Sequence, residues 1–171
     1  MEELIDVYTE NKELTGQVVK RGSFLQPGQF MLYTLAIIEN GQGSILITQR
    51  SQDKHWAAGW WEVTGGGVSA GQGSQESMVR EIAEEVGLNA TGKVGEPIYS
   101  YMNIDAEHGD NYIVDIYHVR MDFNASDVTL QDSEAVDFKL VSWKDIESLN
   151  EQGIFLHFKR LQQALQAEGV L

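Results

Sequence analysis

The sequence predicts a single α/β domain in which helices pack on a mixed β-sheet. Three observations support this fold class. Short apolar stretches of strand length recur along the chain, one strongly amphipathic helix lies near its middle, and further helical patterns lie near its end. The length of 171 residues is that of one ordinary domain, so we expect residues 1–171 to form one unit.

The first predicted strands form a hairpin-like N-terminal extension over residues 1–29. The stretches Leu4–Tyr8 and Gly16–Arg21 are rich in strand-forming residues and flank the polar segment Thr9–Thr15. Later stretches of apolar or alternating residues predict the remaining strands. These strands are expected at Phe30–Ile38, Ser44–Arg50, Trp61–Thr64, Pro97–Ile104, Tyr112–Met121 and Ala135–Ser142.

Three helices are expected, and the clearest spans Ser74–Val86. Ser74 is predicted to be its N-cap, and Gly87 is placed to end it in a left-handed conformation. Ser142 predicts the N-cap of a short helix over Trp143–Leu149. The last helix is expected over Ile154–Ala167.

Charge and composition exclude several classes of protein. The chain carries 12 Lys and Arg against 26 Asp and Glu, a formal net charge of −14, so we expect no binding to a nucleic-acid polymer. It has no apolar run of the roughly 20 residues that cross a membrane. It has no cysteine, which excludes disulfides, thiolate metal sites and a cysteine nucleophile. The acidic N-terminus does not resemble a signal peptide, so a cytoplasmic location is expected.

Three glutamates share one side of the central helix, directly after a glycine-rich loop. Glu81, Glu84 and Glu85 are spaced i, i+3 and i+4, so their like charges repel each other. They form either a solvated acidic surface or the ligands of a divalent cation, which binds carboxylate oxygens. The segment Gly65–Gly73 contains five glycines, which allow the backbone to approach a ligand closely. A glycine loop that leads into a carboxylate-bearing helix favours a phosphate and metal site.

This stretch resembles the Nudix hydrolase family, whose signature is G-x5-E-x7-R-E-U-x-E-E-x-G-U with U apolar. The signature, or Nudix box, falls within residues 65–88, and eight of its nine positions match. The corresponding residues are Gly66, Gln72, Arg80, Glu81, Ile82, Glu84, Glu85, Gly87 and Leu88. The resemblance implies an α/β/α sandwich with a mixed sheet and a glycine loop before the catalytic helix. It also implies hydrolysis of a nucleoside diphosphate linked to another group.

The resemblance assigns expected roles to individual residues. Mg²⁺, with Mn²⁺ as the alternative, is expected on Gly65, Glu81, Glu84 and Glu85. Catalytic roles are expected for Arg80, Glu84, Glu85 and Glu134, and the general base is either a box glutamate or Glu134. Substrate contacts are expected from Arg50, Gly66 and Gly67. The three neighbouring tryptophans Trp56, Trp60 and Trp61 either stack on a ring of the substrate or pack in the core.

Two departures from the family pattern keep alternatives open. Gln72 stands where the signature has its first glutamate, which brings the bridge to Arg80 into question and allows a binding or sensor module with weakened catalysis. The N-terminal segment is similar to the subgroup near isopentenyl-diphosphate isomerase, but that chemistry uses a cysteine and this chain has none. The identity of the small diphosphate substrate stays open, and the N-terminal hairpin allows a homodimer.

Overall fold

The computed structural model describes residues 2–171, which contain nine strands and three α-helices. The strands are β1 (Leu4–Tyr8), β2 (Leu14–Lys20), β3 (Met31–Glu39), β4 (Ile45–Arg50), β5 (Trp61–Glu62), β6 (Thr64–Gly67), β7 (Tyr99–Asn103), β8 (Tyr112–Arg120) and β9 (Ala135–Val141). The helices are α1 (Ser74–Val86), α2 (Trp143–Glu151) and α3 (Phe158–Glu168). None of the helices in residues 2–171 is long and apolar enough to cross a membrane.

The larger sheet has seven strands and is mixed, as the sequence predicts. Strand β3 is its centre, pairing parallel with β8 and antiparallel with β4 and β6. Strand β7 pairs antiparallel with β8, while β5 and β9 both pair antiparallel with β4. Side chains of β3 alternate between the two faces of the sheet, and both faces are buried at this strand. This explains its nearly continuous apolar sequence.

Helices cover both faces of this sheet, which confirms the predicted α/β/α arrangement. On one face, Met78 and Ile82 of α1 pack against the sheet in a single apolar cluster. On the other face, Ile146 of α2 and Leu161 of α3 belong to a second cluster. These side chains are fully buried, and burying each contributes about 1.5–3 kcal/mol.

The N-terminal hairpin forms its own two-stranded sheet and docks on the larger one. Its inward side chains Ile5 and Val7 pack with Met31 at the start of β3. At the hairpin turn, Lys12 reaches Asp115 on β8, with 2.6 Å between its Nζ and the Asp115 Oδ1. The predicted hairpin is therefore confirmed, although its second strand is Leu14–Lys20 instead of the expected Gly16–Arg21. It is joined to the core by apolar contacts and by an ion pair.

The start of α1 differs from the prediction. Gly73 is the N-cap, while Ser74 is the first helical residue and does not cap the helix. The Ser74 hydroxyl instead lies 2.6 Å from Oδ2 of Asp115 and 2.7 Å from the hydroxyl of Tyr117. The prediction was wrong because the buried Asp115 carboxylate needs hydrogen-bond donors, and sequence reasoning did not place it there.

Other element boundaries are confirmed or shifted. Ser142 caps α2 by accepting a hydrogen bond from the Asp145 N–H, as predicted, and Gly87 ends α1 with a φ of 70°. Helix α3 begins later than predicted because His157 has a φ of 62°, which a continuing helix does not allow. Gly65 to Gly67 belong to β6 rather than to a loop, so the loop before α1 is residues 68–73.

Candidate active site

Two glycines of β6 allow the sheet to lie directly against α1. A β-carbon at Gly66 would lie 2.6 Å from the carboxyl carbon of Glu81. A β-carbon at Gly65 would lie 2.3 Å from the carbonyl oxygen of Thr34 on β3. Neither glycine has a φ in the left-handed region, so contact with neighbouring atoms, and not backbone conformation, is the reason for glycine here.

Glu81 and Glu85 lie one helical turn apart on α1, which places their carboxyl groups side by side. Burial raises the pKa of Glu81 above its ordinary value. Burial raises the pKa of Glu85 well above its ordinary value, and the charges of Glu81, Glu62 and Glu134 raise it further. A hydrogen bond from the Gly65 N–H to Glu85 acts in the opposite direction. Arg80 lowers the pKa of Glu81 but does not fully offset its burial, so the protein alone compensates this pair of carboxyl groups only in part.

Arg80 holds the parts of the box together. Its Nε donates to the side-chain oxygen of Gln72 at 2.9 Å, so the bridge to the first box position is present although that position is not a glutamate. Its terminal nitrogens lie 3.1 Å from Oε1 of Glu81 and 3.0 Å from Oε2 of Glu84. Glu84 is half-exposed and bonded to Arg80. Glu81 and Glu85 instead face β6, which we call the glycine strand.

A second group of charges lies beside this pair, and sequence reasoning missed two of its members, Glu62 and Lys54. Glu62 of β5 accepts a hydrogen bond from Arg50 at 2.8 Å, and both side chains are about four-fifths buried. Burial raises the pKa of Glu62 even though Arg50 opposes the shift. The carboxylate of Glu134 pairs with Lys54 at 2.7 Å. An acidic residue between the apolar residues Trp61 and Val63 was the available signal for Glu62, because alternation turns it to the opposite face.

The structure brings together most of the residues that the sequence singled out. Gly65, Gly66, Glu81 and Glu85 are in contact, and the charge of Glu134 acts on Glu85. Gly67 touches this group through its main chain, because its carbonyl oxygen lies 3.5 Å from a terminal nitrogen of Arg80, whereas a β-carbon at this position would face Arg21 and Tyr33. The tryptophans separate into two environments. Trp61 is buried in the core, whereas Trp56 has 60% of its surface exposed.

Comparison with known proteins places this box in a family. A sequence model of the NUDIX domain matches residues 30–162, which is well over half of the chain. The chain belongs to the Nudix hydrolase family. An uncharacterized Nudix hydrolase of Listeria monocytogenes is 32% identical over 159 residues, covering 92% of this chain and 90% of that protein.

Further relatives support the same family and fold. The CTP pyrophosphohydrolase of Escherichia coli is 38% identical over 71 residues, which are 42% of this chain and 50% of that protein. The NUDIX domain of Shewanella oneidensis NrtR, solved in complex with ADP ribose, superimposes with a TM-score of 0.63 at 19% identity. That superposition covers 82% of this chain and 87% of the other, and it supports the fold alone.

Nudix hydrolases generally use divalent metal ions, and the donor set of this Nudix site fits one. Within residues 2–171, no group of three acidic or histidine side chains is arranged to hold a metal ion. The adjoining carboxyl groups of Glu81 and Glu85 nevertheless carry repulsion and desolvation that a divalent cation would relieve. Mg²⁺ is commonly bound through one or two carboxylates, with substrate phosphates and waters as its other ligands. Two glutamates are therefore a sufficient protein contribution.

Proposed function

We propose that this Nudix hydrolase cleaves the diphosphate bond of a nucleoside diphosphate linked to another group, with Mg²⁺ or Mn²⁺ bound at Glu81 and Glu85. The observation that carries the proposal is the buried pair of carboxyl groups against the glycine strand. Gly65, through its carbonyl, and Glu84 are proposed as further ligands. When bound, the cation would neutralise phosphate charge and make the attacking water more acidic.

The residues of the chain would perform three tasks. Arg80 would orient Glu81 and Glu84 through its paired hydrogen bonds, which hold both carboxylates at defined distances. Arg50, fixed by Glu62, would contact the substrate phosphate together with the backbone of the glycine strand at Gly66. We include Gly67 as a substrate contact only through its main chain.

A general base would remove a proton from the attacking water. Glu85 and Glu134 are the two candidates. The Lys54 ammonium lies 2.7 Å from one oxygen of Glu134, which leaves the other oxygen to accept a proton. Glu85 is the more buried candidate, and it could accept the proton on a carboxylate oxygen that does not hold the cation.

The test is hydrolysis of a panel of nucleoside diphosphate derivatives by the wild type and by Glu85→Gln. We expect Mg²⁺-dependent turnover of at least one compound and a loss of at least about 100-fold in the variant. Glu147→Gln, a change of an exposed glutamate on α2, is the matched control and should leave the rate unchanged. No turnover of any compound, or equal rates for the wild type and Glu85→Gln, would refute the proposal.

The binding-module alternative makes a different prediction. It requires measurable affinity for a diphosphate without turnover, in the wild type and also in Gln72→Glu. The hydrogen bond between Gln72 and Arg80 argues for the enzyme, because the function of the missing glutamate as an acceptor is retained. One domain over residues 1–171, a cytoplasmic location, a homodimer and the isomerase-like subgroup stay predictions.

A further inference from the structure

Trp56 lies exposed at the edge of the candidate active site. It belongs to the segment between β4 and β5, and 60% of its surface is accessible, in contrast to the buried Trp61. Its indole ring lies 5.4 Å from the guanidinium carbon of Arg50. Arg50 also bonds Glu62 of β5, with 2.8 Å between its terminal nitrogen and Oε2 of Glu62. A single arginine side chain therefore connects the indole to the acidic centre.

The backbone holds this indole in a defined position. The Arg50 Nε donates to the carbonyl oxygen of Trp56 at 3.2 Å. Ala57, the next residue, has a φ of 52°, a left-handed conformation that a residue with a β-carbon rarely adopts. The ring of His157, another residue with a positive φ, lies 6.5 Å from the indole. Backbone strain of this kind persists where the surrounding structure fixes a functional group.

We propose that Trp56 is a specificity-determining residue that stacks on the base of the nucleotide substrate. This inference rests on the proposed function, because it assigns the substrate of the same site. An indole presents a flat, electron-rich face on which an aromatic heterocycle stacks well. Arg50 lies between the indole and Glu62, where it can meet the phosphates of a nucleotide whose base rests on Trp56.

Two substitutions separate stacking from simple apolar contact. Trp56→Phe keeps an aromatic face, whereas Trp56→Leu keeps an apolar side chain without one. The probes are ADP, which has a base, and inorganic pyrophosphate, which has none, each titrated by calorimetry with Mg²⁺ present. Phe24→Leu is the matched control, because Phe24 is another aromatic residue with 55% of its surface exposed.

We expect Trp56→Leu to weaken ADP binding by about 5- to 100-fold, within the range for loss of one base stack. Trp56→Phe should stay within about threefold of the wild type, and neither change should affect the affinity for pyrophosphate. Equal affinities of Trp56→Leu and the wild type for ADP would overturn the inference, as would an equal loss for both probes. Absence of ADP binding to the wild type would also overturn it.

The binding experiment does not depend on turnover, so its result separates from the test of the proposed function. If Glu85→Gln retains full activity while Trp56→Leu loses only ADP affinity, the proposed catalytic role fails and the stacking role stands. If Glu85→Gln is inactive while Trp56→Leu binds ADP normally, the enzyme proposal stands and the stacking role fails.

Discussion

A methyl group at position 66 would collide with the carboxylate on which the candidate site depends. In Gly66→Ala the new carbon would lie 2.6 Å from Cδ and Oε1 of Glu81, whereas ordinary contacts begin near 3.4 Å. Glu81 would therefore have to move away by about 0.8 Å, and its 3.1 Å contact with Arg80 would change with it. A displacement near 1 Å at a reacting site reduces the rate by about 100-fold, so we expect kcat/KM to fall by that amount.

The protein should nevertheless remain folded. The new methyl group would clash only with the carboxyl group at the end of the Glu81 side chain, and the backbone at Gly66 is not left-handed. The free energy of unfolding should therefore fall by no more than about 1–3 kcal/mol. Gly95→Ala is the matched control, since nothing lies within 4 Å of its β-carbon position. Gly65→Ala is the opposite case, because its β-carbon would meet backbone atoms of β3 and destabilise the sheet itself.

The assay pairs steady-state hydrolysis of the best diphosphate from the panel with thermal unfolding followed by calorimetry. Gly66→Ala should combine a nearly normal melting temperature with low activity, and Gly65→Ala should lose both. A folded Gly66→Ala protein with kcat/KM within threefold of the wild type would show that the position of Glu81 does not control the reaction. A misfolded Gly66→Ala would instead show that the glycine is required by the fold.

Three further predictions concern charge. A raised carboxyl pKa means that the folded protein holds the proton more tightly than the unfolded chain, so stability falls as pH rises through that pKa. With EDTA present to remove metal ions, Glu85→Gln should therefore have a melting temperature a few degrees above that of the wild type at pH 8. Near pH 4.5 the two proteins should melt at the same temperature. Equal melting temperatures of the two proteins at both pH values would contradict the burial of Glu85. Lys12→Met removes the cation beside the buried Asp115 and should lower the free energy of unfolding, measured with urea, by about 1–3 kcal/mol. Lys20→Met is the control, because Lys20 is exposed, and it should change this free energy by less than about 0.5 kcal/mol. Gln72→Glu should change kcat/KM by less than about tenfold, because an acceptor for the box arginine is already present; a larger gain would mean that the missing charge limits the wild type.

Local patterns were sufficient to predict most elements of the fold. The apolar run of β3 and the capping sequence at Ser142 each express a rule that operates over a few neighbouring residues. Ser74 shows where such rules end. It resembles an N-cap, but its hydroxyl bonds a carboxylate that lies 41 positions further along the chain. A buried group that needs a donor overrides a local preference, and the sequence does not show which groups will be buried together.

The same distinction applies to the candidate site. The box glutamates could be read directly, because their spacing on one helix makes them neighbours. The contribution of Glu62 could not, since it depends on the pairing of β5 with β4, which brings Glu62 to Arg50 across the sheet. The exposure of Trp56 was equally hidden, because three nearby tryptophans look alike in the sequence and only the path of the backbone separates them.

The ion pair at the hairpin turn has a consequence for the order in which the chain acquires its structure. Lys12 and Asp115 are 103 positions apart, so during synthesis the first strands emerge long before their partner. At 5–20 residues per second, this interval is about 5–20 s. β3 must also remain without its parallel neighbour β8 for a similar time. Ile5 and Val7 can meet Met31 early, because it follows them closely in the chain, so the hairpin is covered before its ion pair forms. The edge of β3 that pairs with β8 stays open until β8 arrives, and in this interval that edge is the part of the nascent chain most open to chaperones and to aggregation.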